Sequence, residues 1–239
     1  MTYVLAALIV ALGAAAQAAS GFGFALLAVP LLALLLGAKT AVVTTGVVAL
    51  GLQLTMALRD HTSIRRPIIV TMSIAALAGM PLGLLILDRV DERTLTGAIA
   101  VTVLAFTLML ARGVHVPAGG VTDAVAGFVS GITSTSTGTS GPPLVIALHA
   151  RKMAPVAFRA TLAAQFLIQG AISVLAFVLV GRVTADIGRL ALAGLPGLAL
   201  GWIAGEWIFA RLDHERFRRV VLAMLAASAL ASLVGALAG

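Results

Sequence analysis

The chain has 239 residues, 61% of them hydrophobic and only 10% charged, against roughly 25% charged in an average soluble domain. Lys and Arg outnumber Asp and Glu by 16 to 9, a net charge of +7, and the mean hydropathy is +1.12. So few charges cannot cover a water-soluble surface, which excludes a soluble enzyme, a disordered chain and a coiled coil and leaves an integral membrane protein.

A pI near 11.5 would point to nucleic acid in a soluble protein. Here the basic residues sit in short gaps between apolar runs, the pattern of loops that fix topology. Aromatic residues are only 5% and form no basic-aromatic stripe, so nucleic acid is not an expected partner. The absence of cysteine excludes disulfides, thiolate metal sites and a cysteine-based sulfur relay. His61, His115, His149 and His214 form no close pair on one helix, so no metal or haem centre is expected, and no cofactor.

In chain order, residues 2–38 carry no charge but are interrupted at Ser20-Gly21-Phe22-Gly23. Met1-Thr2-Tyr3 offers no positive n-region, so residues 1–19 read as a retained helix rather than a cleaved signal peptide. Apolar runs follow at 40–58, 67–87 and 94–111. Residues 124–150 are free of Lys, Arg, Asp and Glu but broken by 134–143, which is rich in Ser and Thr and closes on Pro142-Pro143. Runs at 160–181, 190–210 and 220–239 complete the chain. Each unbroken run is near the ~20 residues that cross a bilayer as a helix, so six full spans and two broken helical elements are predicted.

The chain reads as duplicated. Thr45, Ala49 and Gln53 match Thr161, Gln165 and Gln169 at one offset. Gly79 and Gly83 before Arg89-Val90-Asp91 match Gly201 and Gly205 before Arg211-Leu212-Asp213. Each half is a broken helix, a polar-striped helix, a glycine-faced helix and a closing helix. The first repeat is 1–112, the inter-repeat loop 113–120 and the second repeat 121–239. Internal repeats with broken helices in corresponding positions are the sequence sign of a secondary transporter.

The loops give two topologies. If every element crosses once, ten Lys/Arg lie on one face and six on the other. If each broken helix is a re-entrant hairpin, the division is eleven against five, with Lys39, Arg89, Arg93, Arg182 and Arg189 on the poorer face. The halves are then inverted. Residues 24–36 and 142–150 are too short to span, which favours the hairpins, and both topologies put the termini on the non-cytoplasmic side.

Gly21-Phe22-Gly23-Phe24 leading to Val29-Pro30-Leu31, Ala41-Val42-Val43-Thr44-Thr45, Gly79-Met80-Pro81-Leu82-Gly83, Ser140-Gly141-Pro142-Pro143 and Arg159-Ala160-Thr161 together resemble the sulfite exporter TauE/SafE family, also called the toluene sulfonate uptake permease family. The resemblance covers nearly the whole chain; members commonly carry a further glycine where this chain has Phe24. It implies transport of small sulfur oxyanions or organosulfonates across a bacterial inner membrane.

The candidate site follows from the breaks. Backbone that leaves a helix inside lipid costs several kcal/mol per unsatisfied group, so a break persists only where protein or water receives it. The half-helices 24–36 and 142–150 start at the breaks with free N–H groups and roughly half a positive charge each. The expected substrate-binding residues are Gly21, Phe22, Gly23, Phe24, Ser136, Thr137, Gly138, Thr139, Ser140 and Gly141, with Thr45, Gln53, Thr161, Gln165 and Gln169 from the polar stripes. Packing kinks and interhelical hydrogen bonds are the competing readings. The stripes Ala75-Gly79-Gly83 and Gly197-Gly201-Gly205 are read as close helix packing.

Glu206 is the carboxylate deepest in a span. It reads as a side chain reaching out of the membrane near Arg211, with a coupling role as the alternative. Arg159 is either an anion guide or a topology charge. His149 is expected to cap a half-helix and Asp123 to be an N-cap. The Asp88–Arg93 and Arg211–Arg219 clusters are expected to be solvated loops.

The reading is an all-α polytopic secondary transporter. Its partners are the lipid bilayer, a small anionic substrate and a coupling proton or sodium ion; a homodimer stays open. No G-x-x-x-x-G-K-[ST] occurs, so ATP is not an expected energy source. A membrane scaffold without transport, and a cation carrier that uses unwound carbonyls, are the alternatives.

Overall fold

The computed structural model describes residues 1–59, 61–209, 223, 225–231 and 233–236. Among these residues the chain is helical, without strands. The helices are α1 (Thr2–Ser20), α2 (Phe24–Leu36), α3 (Ala38–Arg59), α4 (Arg66–Arg89), α5 (Glu92–Ala111), α6 (Gly120–Ser136), α7 (Gly141–Ala150), α8 (Pro155–Leu179) and α9 (Ala185–Phe209). A 3-10 turn, His61–Ser63, follows α3. Among the described residues α3, α4, α5, α8 and Ala185–Trp207 of α9 are long and apolar enough to cross a membrane. The sixth predicted span, 220–239, lies partly outside the described residues, as the Arg211–Arg219 cluster does wholly. Its described part, 225–231 and 233–236, is a shorter apolar helix. The chain is a multi-pass membrane protein.

The helix ends follow from local chemistry. Pro67, Pro142, Pro143 and Pro155 stand in first turns, where a missing N–H costs nothing. Asp91 caps α5, its carboxylate accepting from Thr94 N at 2.9 Å. Glu92 reaches back to α3, its Oε2 accepting from the N–H groups of Ala38 (2.6 Å) and Lys39 (3.2 Å). Two orphan donors and a positive helix end are satisfied by one carboxylate.

Both broken elements fold back on themselves. Gly13 of α1 lies against Phe24, where a Cβ would come within 2.9 Å of the ring and 3.0 Å of the carbonyl, and Gly23 lies against Ala16. In the second hairpin, Asp123 in the first turn of α6 forms an ion pair with Arg151, the C-cap of α7. The Ser130 hydroxyl donates to the Ser140 carbonyl at 2.7 Å.

The glycine faces explain how the hairpins are held. Gly79 and Gly83 of α4 press on the backbone of α6 at Phe128 and Ile132, while Gly127 and Gly131 of α6 press on Met72 and Ala76 of α4. Gly197, Gly201 and Gly205 of α9 do the same to Ala7, Ala11 and Ala15 of α1. Residue numbers rise together in both pairs, so each pair is parallel. Lipid supplies no hydrophobic drive between helices, so close backbone approach through small residues is what holds them. Outward faces carry Ile74, Leu77, Leu85, Leu192, Leu200 and Ile203, all exposed, as a lipid-facing belt requires.

α3 and α8 pack antiparallel. Gly46 faces Phe177, Gly170 faces Gln53, and Met56 and Ala57 meet Ala163. The charged ends gather accordingly. Lys39 Nζ donates to the Asp88 carbonyl at 3.1 Å and Arg182 pairs with the Asp88 carboxylate. At the other end of the bundle Arg65 N donates to Thr161 Oγ1 at 3.1 Å, and Arg59 and Arg159 share one small hollow. The charged residues of the Asp88–Arg93 stretch are exposed, as expected from sequence, and Asp88, Asp91 and Glu92 among them are also engaged. Asp88 pairs, Asp91 caps α5 and Glu92 caps α3, because the chain brings three helix ends to that point.

Candidate functional site

The hairpin tips are built by glycines in the left-handed region. Gly21 has φ 81°, Gly23 φ 116° and Gly138 φ 70°, conformations that side-chain-bearing residues rarely adopt. Gly21 closes α1 by donating its N–H to Gln17 O at 2.7 Å. Gln17 then turns across the tip. Its Oε1 accepts from Phe24 N at 3.1 Å and its Nε2 approaches Met56 Sδ at 3.8 Å. The Ala25 and Leu26 N–H groups remain as the open donors of the first turn of α2. The start of α7 is poorer in donors than that of α2. Gly141 offers an N–H, whereas Pro142 and Pro143 have none.

The two tips meet at one cavity of about 50 Å³, room on the order of three or four waters. Its lining is Gln17, Gly23, Phe24, Ala25, Leu26, Val42, Thr45, Gly46, Ala49, Gln53, Ser134, Gly138, Thr139, Ser140, Gly141, Phe166, Gly170, Ser173 and Phe177. Among these lining residues none is charged. Thr45 Oγ1 and Gln53 Oε1 are buried there with no hydrogen-bond partner among the described residues; Thr45 is 2% exposed. Unpartnered buried polar atoms are costly, so a cavity that holds them is built to receive a polar occupant.

Of the residues expected from sequence, Gly23, Phe24, Thr45, Gln53, Gly138, Thr139, Ser140 and Gly141 line this cavity. The others lie behind it. Gly21 packs on Arg159, with Cγ 3.4 Å from where a Cβ would be. Phe22 packs against two of the hydrophobic clusters. The Ser136 hydroxyl donates to Ile132 O at 2.7 Å, and that of Thr137 to Thr133 O at 3.2 Å. Thr161 Oγ1 accepts from Arg65 N, and Gln165 lies 3.1 Å from the Ser73 hydroxyl. Gln169 lies 3.1 Å from Ser130, whose hydroxyl holds Ser140 O, so its amide braces the start of α7.

Gln17, Ser134, Phe166, Ser173 and Phe177 join them, and Ala25, Leu26, Val42, Gly46, Ala49 and Gly170 complete the lining. Gln17 carried a readable signal, an amide inside an apolar run, the same signal that marks Gln53. Ser134 and Ser173 share a hydrogen bond at 3.0 Å, a pairing between helices that only the packing brings about.

The charged candidates stand outside the cavity. Arg159 Nη2 donates to Ala18 O at 3.1 Å, neutralising the carbonyl end of α1 beside the tip. Glu206 pairs with Arg59 of α3; Arg211, near which it was expected, lies outside the described residues. Arg59, Arg159, Met56 and Trp202 surround the small second hollow. Asp123 is not the N-cap expected from sequence. Gly119 holds that position, and Asp123 is buried and paired with Arg151, because α7 returns to the start of α6. Outside the spans, the N–H of Thr94 holds the Asp91 carboxyl below its ordinary range. The His149 ring packs on Phe158 with centroids 4.9 Å apart.

The family model described as sulfite exporter TauE/SafE matches residues 5–232. No curated protein and no solved structure matches the chain. The chain belongs to the sulfite exporter TauE/SafE family, a family of membrane transporters.

Proposed function

We propose that the protein is a secondary transporter of a small sulfur-containing anion, sulfite or an organosulfonate, bound between the first turns of α2 and α7 near the bilayer midplane. The observation that carries this reading is the shared cavity. It joins open N–H groups of two helix starts to the unpartnered Thr45 hydroxyl, with the Gln53 amide beside them, and excludes carboxylates from its wall. Donor-rich helix starts favour an anion. The absence of a fixed cation in the wall keeps binding loose enough for release.

The two halves act as inverted repeats, each hairpin entering from its own side. Antiparallel α3 and α8 and the paired parallel contacts of α4 with α6 and α1 with α9 support this arrangement. Alternating access follows from rocking of one set of helices against the other, driven by a proton or sodium gradient. The protein sits in the bacterial inner membrane with both termini on the non-cytoplasmic side, the side poorer in Lys and Arg.

The test is thermal unfolding of the purified protein against sulfite, thiosulfate, sulfate, sulfoacetate, taurine and an aromatic sulfonate. A ligand at about 100 times its Kd stabilises by roughly 2.7 kcal/mol. A selective shift, lost in Gln53→Leu with the fold intact, supports the carrier. A shift with sodium alone favours a cation carrier. No shift in a folded sample favours a scaffold.

A further inference from the structure

We infer that the cavity admits anions carrying one negative charge and turns away those carrying two; this rests on the anion-carrier reading above. The fixed positive field in the cavity comes from the starts of α2 and α7, roughly half an elementary charge each. Together they compensate about one charge.

Among the described residues that line the cavity, none supplies a second. The helices that line the cavity are α1, α2, α3, α6, α7 and α8. Helices α1 and α2 contain no charged residue, and α7 none besides His149, in its last turn. The charges on the others stand at helix ends and are engaged. Lys39 bonds the Asp88 carbonyl. Arg59 pairs with Glu206 and Asp123 with Arg151. Arg159 bonds Ala18 O.

Pro142 and Pro143 withdraw two further N–H groups from the α7 end. The buried, unpartnered Thr45 hydroxyl is a dipole, not a charge. A second negative charge would therefore lose its hydration and meet only neutral groups, the costliest kind of burial.

The consequence for sulfite, which takes up a proton near neutrality, is that hydrogensulfite is the cargo. A proton then travels on the substrate, and the site needs no titratable side chain of its own.

Calorimetric titration of the purified full-length protein with methanesulfonate and with sulfate separates charge from shape, since both are tetrahedral at sulfur. Methanesulfonate is expected to bind at least about tenfold tighter than sulfate. Sulfite binding is expected to fall by at least about tenfold from below to above neutrality, while methanesulfonate binding stays constant. Sulfate binding as tight as methanesulfonate, or sulfite binding insensitive to pH, overturns the charge rule and leaves the anion carrier standing. Binding of no anion by a folded sample overturns both.

Discussion

Gly170 leaves open the space that the Gln53 amide occupies. A Cβ at position 170 would lie 2.5 Å from Gln53 Oε1. The helix that carries one wall of the cavity therefore sets the pose of a side chain on the opposite wall.

Gly170→Ala displaces the free end of a flexible side chain, so little stability is at stake. The thermal midpoint is expected to stay within a few degrees of the parent, corresponding to less than about 1 kcal/mol. Anion binding is expected to weaken by about tenfold or more, since a displaced amide loses a hydrogen bond worth about 1.4 kcal/mol. Unchanged binding would show that Gln53 does not touch the cargo.

The glycine contacts leave no such freedom. At Gly131 and Gly201 a Cβ collides with the backbone carbonyls of Ala76 and Ala11. Gly131→Ala and Gly201→Ala are each expected to cost about 1–3 kcal/mol or more by overpacking. Thermal unfolding in detergent reads this directly. A tolerated Gly201→Ala would mean that α1 and α9 are not tightly locked.

Asp123 and Arg151 tie the base of the second hairpin. Asp123 is buried and Arg151 is partly exposed, so Arg151→Met, which leaves the buried carboxylate without its partner, is expected to lose about 3 kcal/mol. The paired change Asp123→Leu with Arg151→Met is expected to recover most of it. Failure of the double variant to recover would mean that Asp123 has a duty beyond pairing.

The Asp91 cap gives a pH signature. Its carboxyl is held below the ordinary 3.8 by the Thr94 N–H, so the folded state favours the charged form. The contribution is present above that ordinary value and disappears as pH falls through the lower folded-state value. Asp91→Asn keeps a cap without titrating. Between about pH 5 and about pH 3 the difference in thermal midpoint between parent and variant is expected to narrow or reverse at the acid end. A constant difference would remove Asp91 from the acid response.

Much of the architecture is legible in the amino-acid sequence. The uncharged runs, the glycine breaks and the small-residue stripes all read directly, because lipid forces apolar length and tolerates irregular backbone only in protected places. Gln53 and Thr45 read as polar groups that had to face protein or water. What was not legible depends on partners distant in the chain. No local pattern says that Glu206 meets Arg59, that Asp123 meets Arg151, or that Gln17 turns over the tip onto Phe24. The hydroxyl run also misled in part. Ser136 and Thr137 bond to carbonyls of their own helix, while Ser134 points to Ser173, a choice that helix rotation makes.

The crossed glycine contacts set an order on biosynthesis. When the ribosome has delivered α1 through α5, the grooved face of α4 has no α6 to fill it, and α1 has no α9 to lie against. The leading half must wait in the bilayer as an unfinished partner until the trailing half arrives. The first hairpin, though made earliest, is among the last pieces to be clamped.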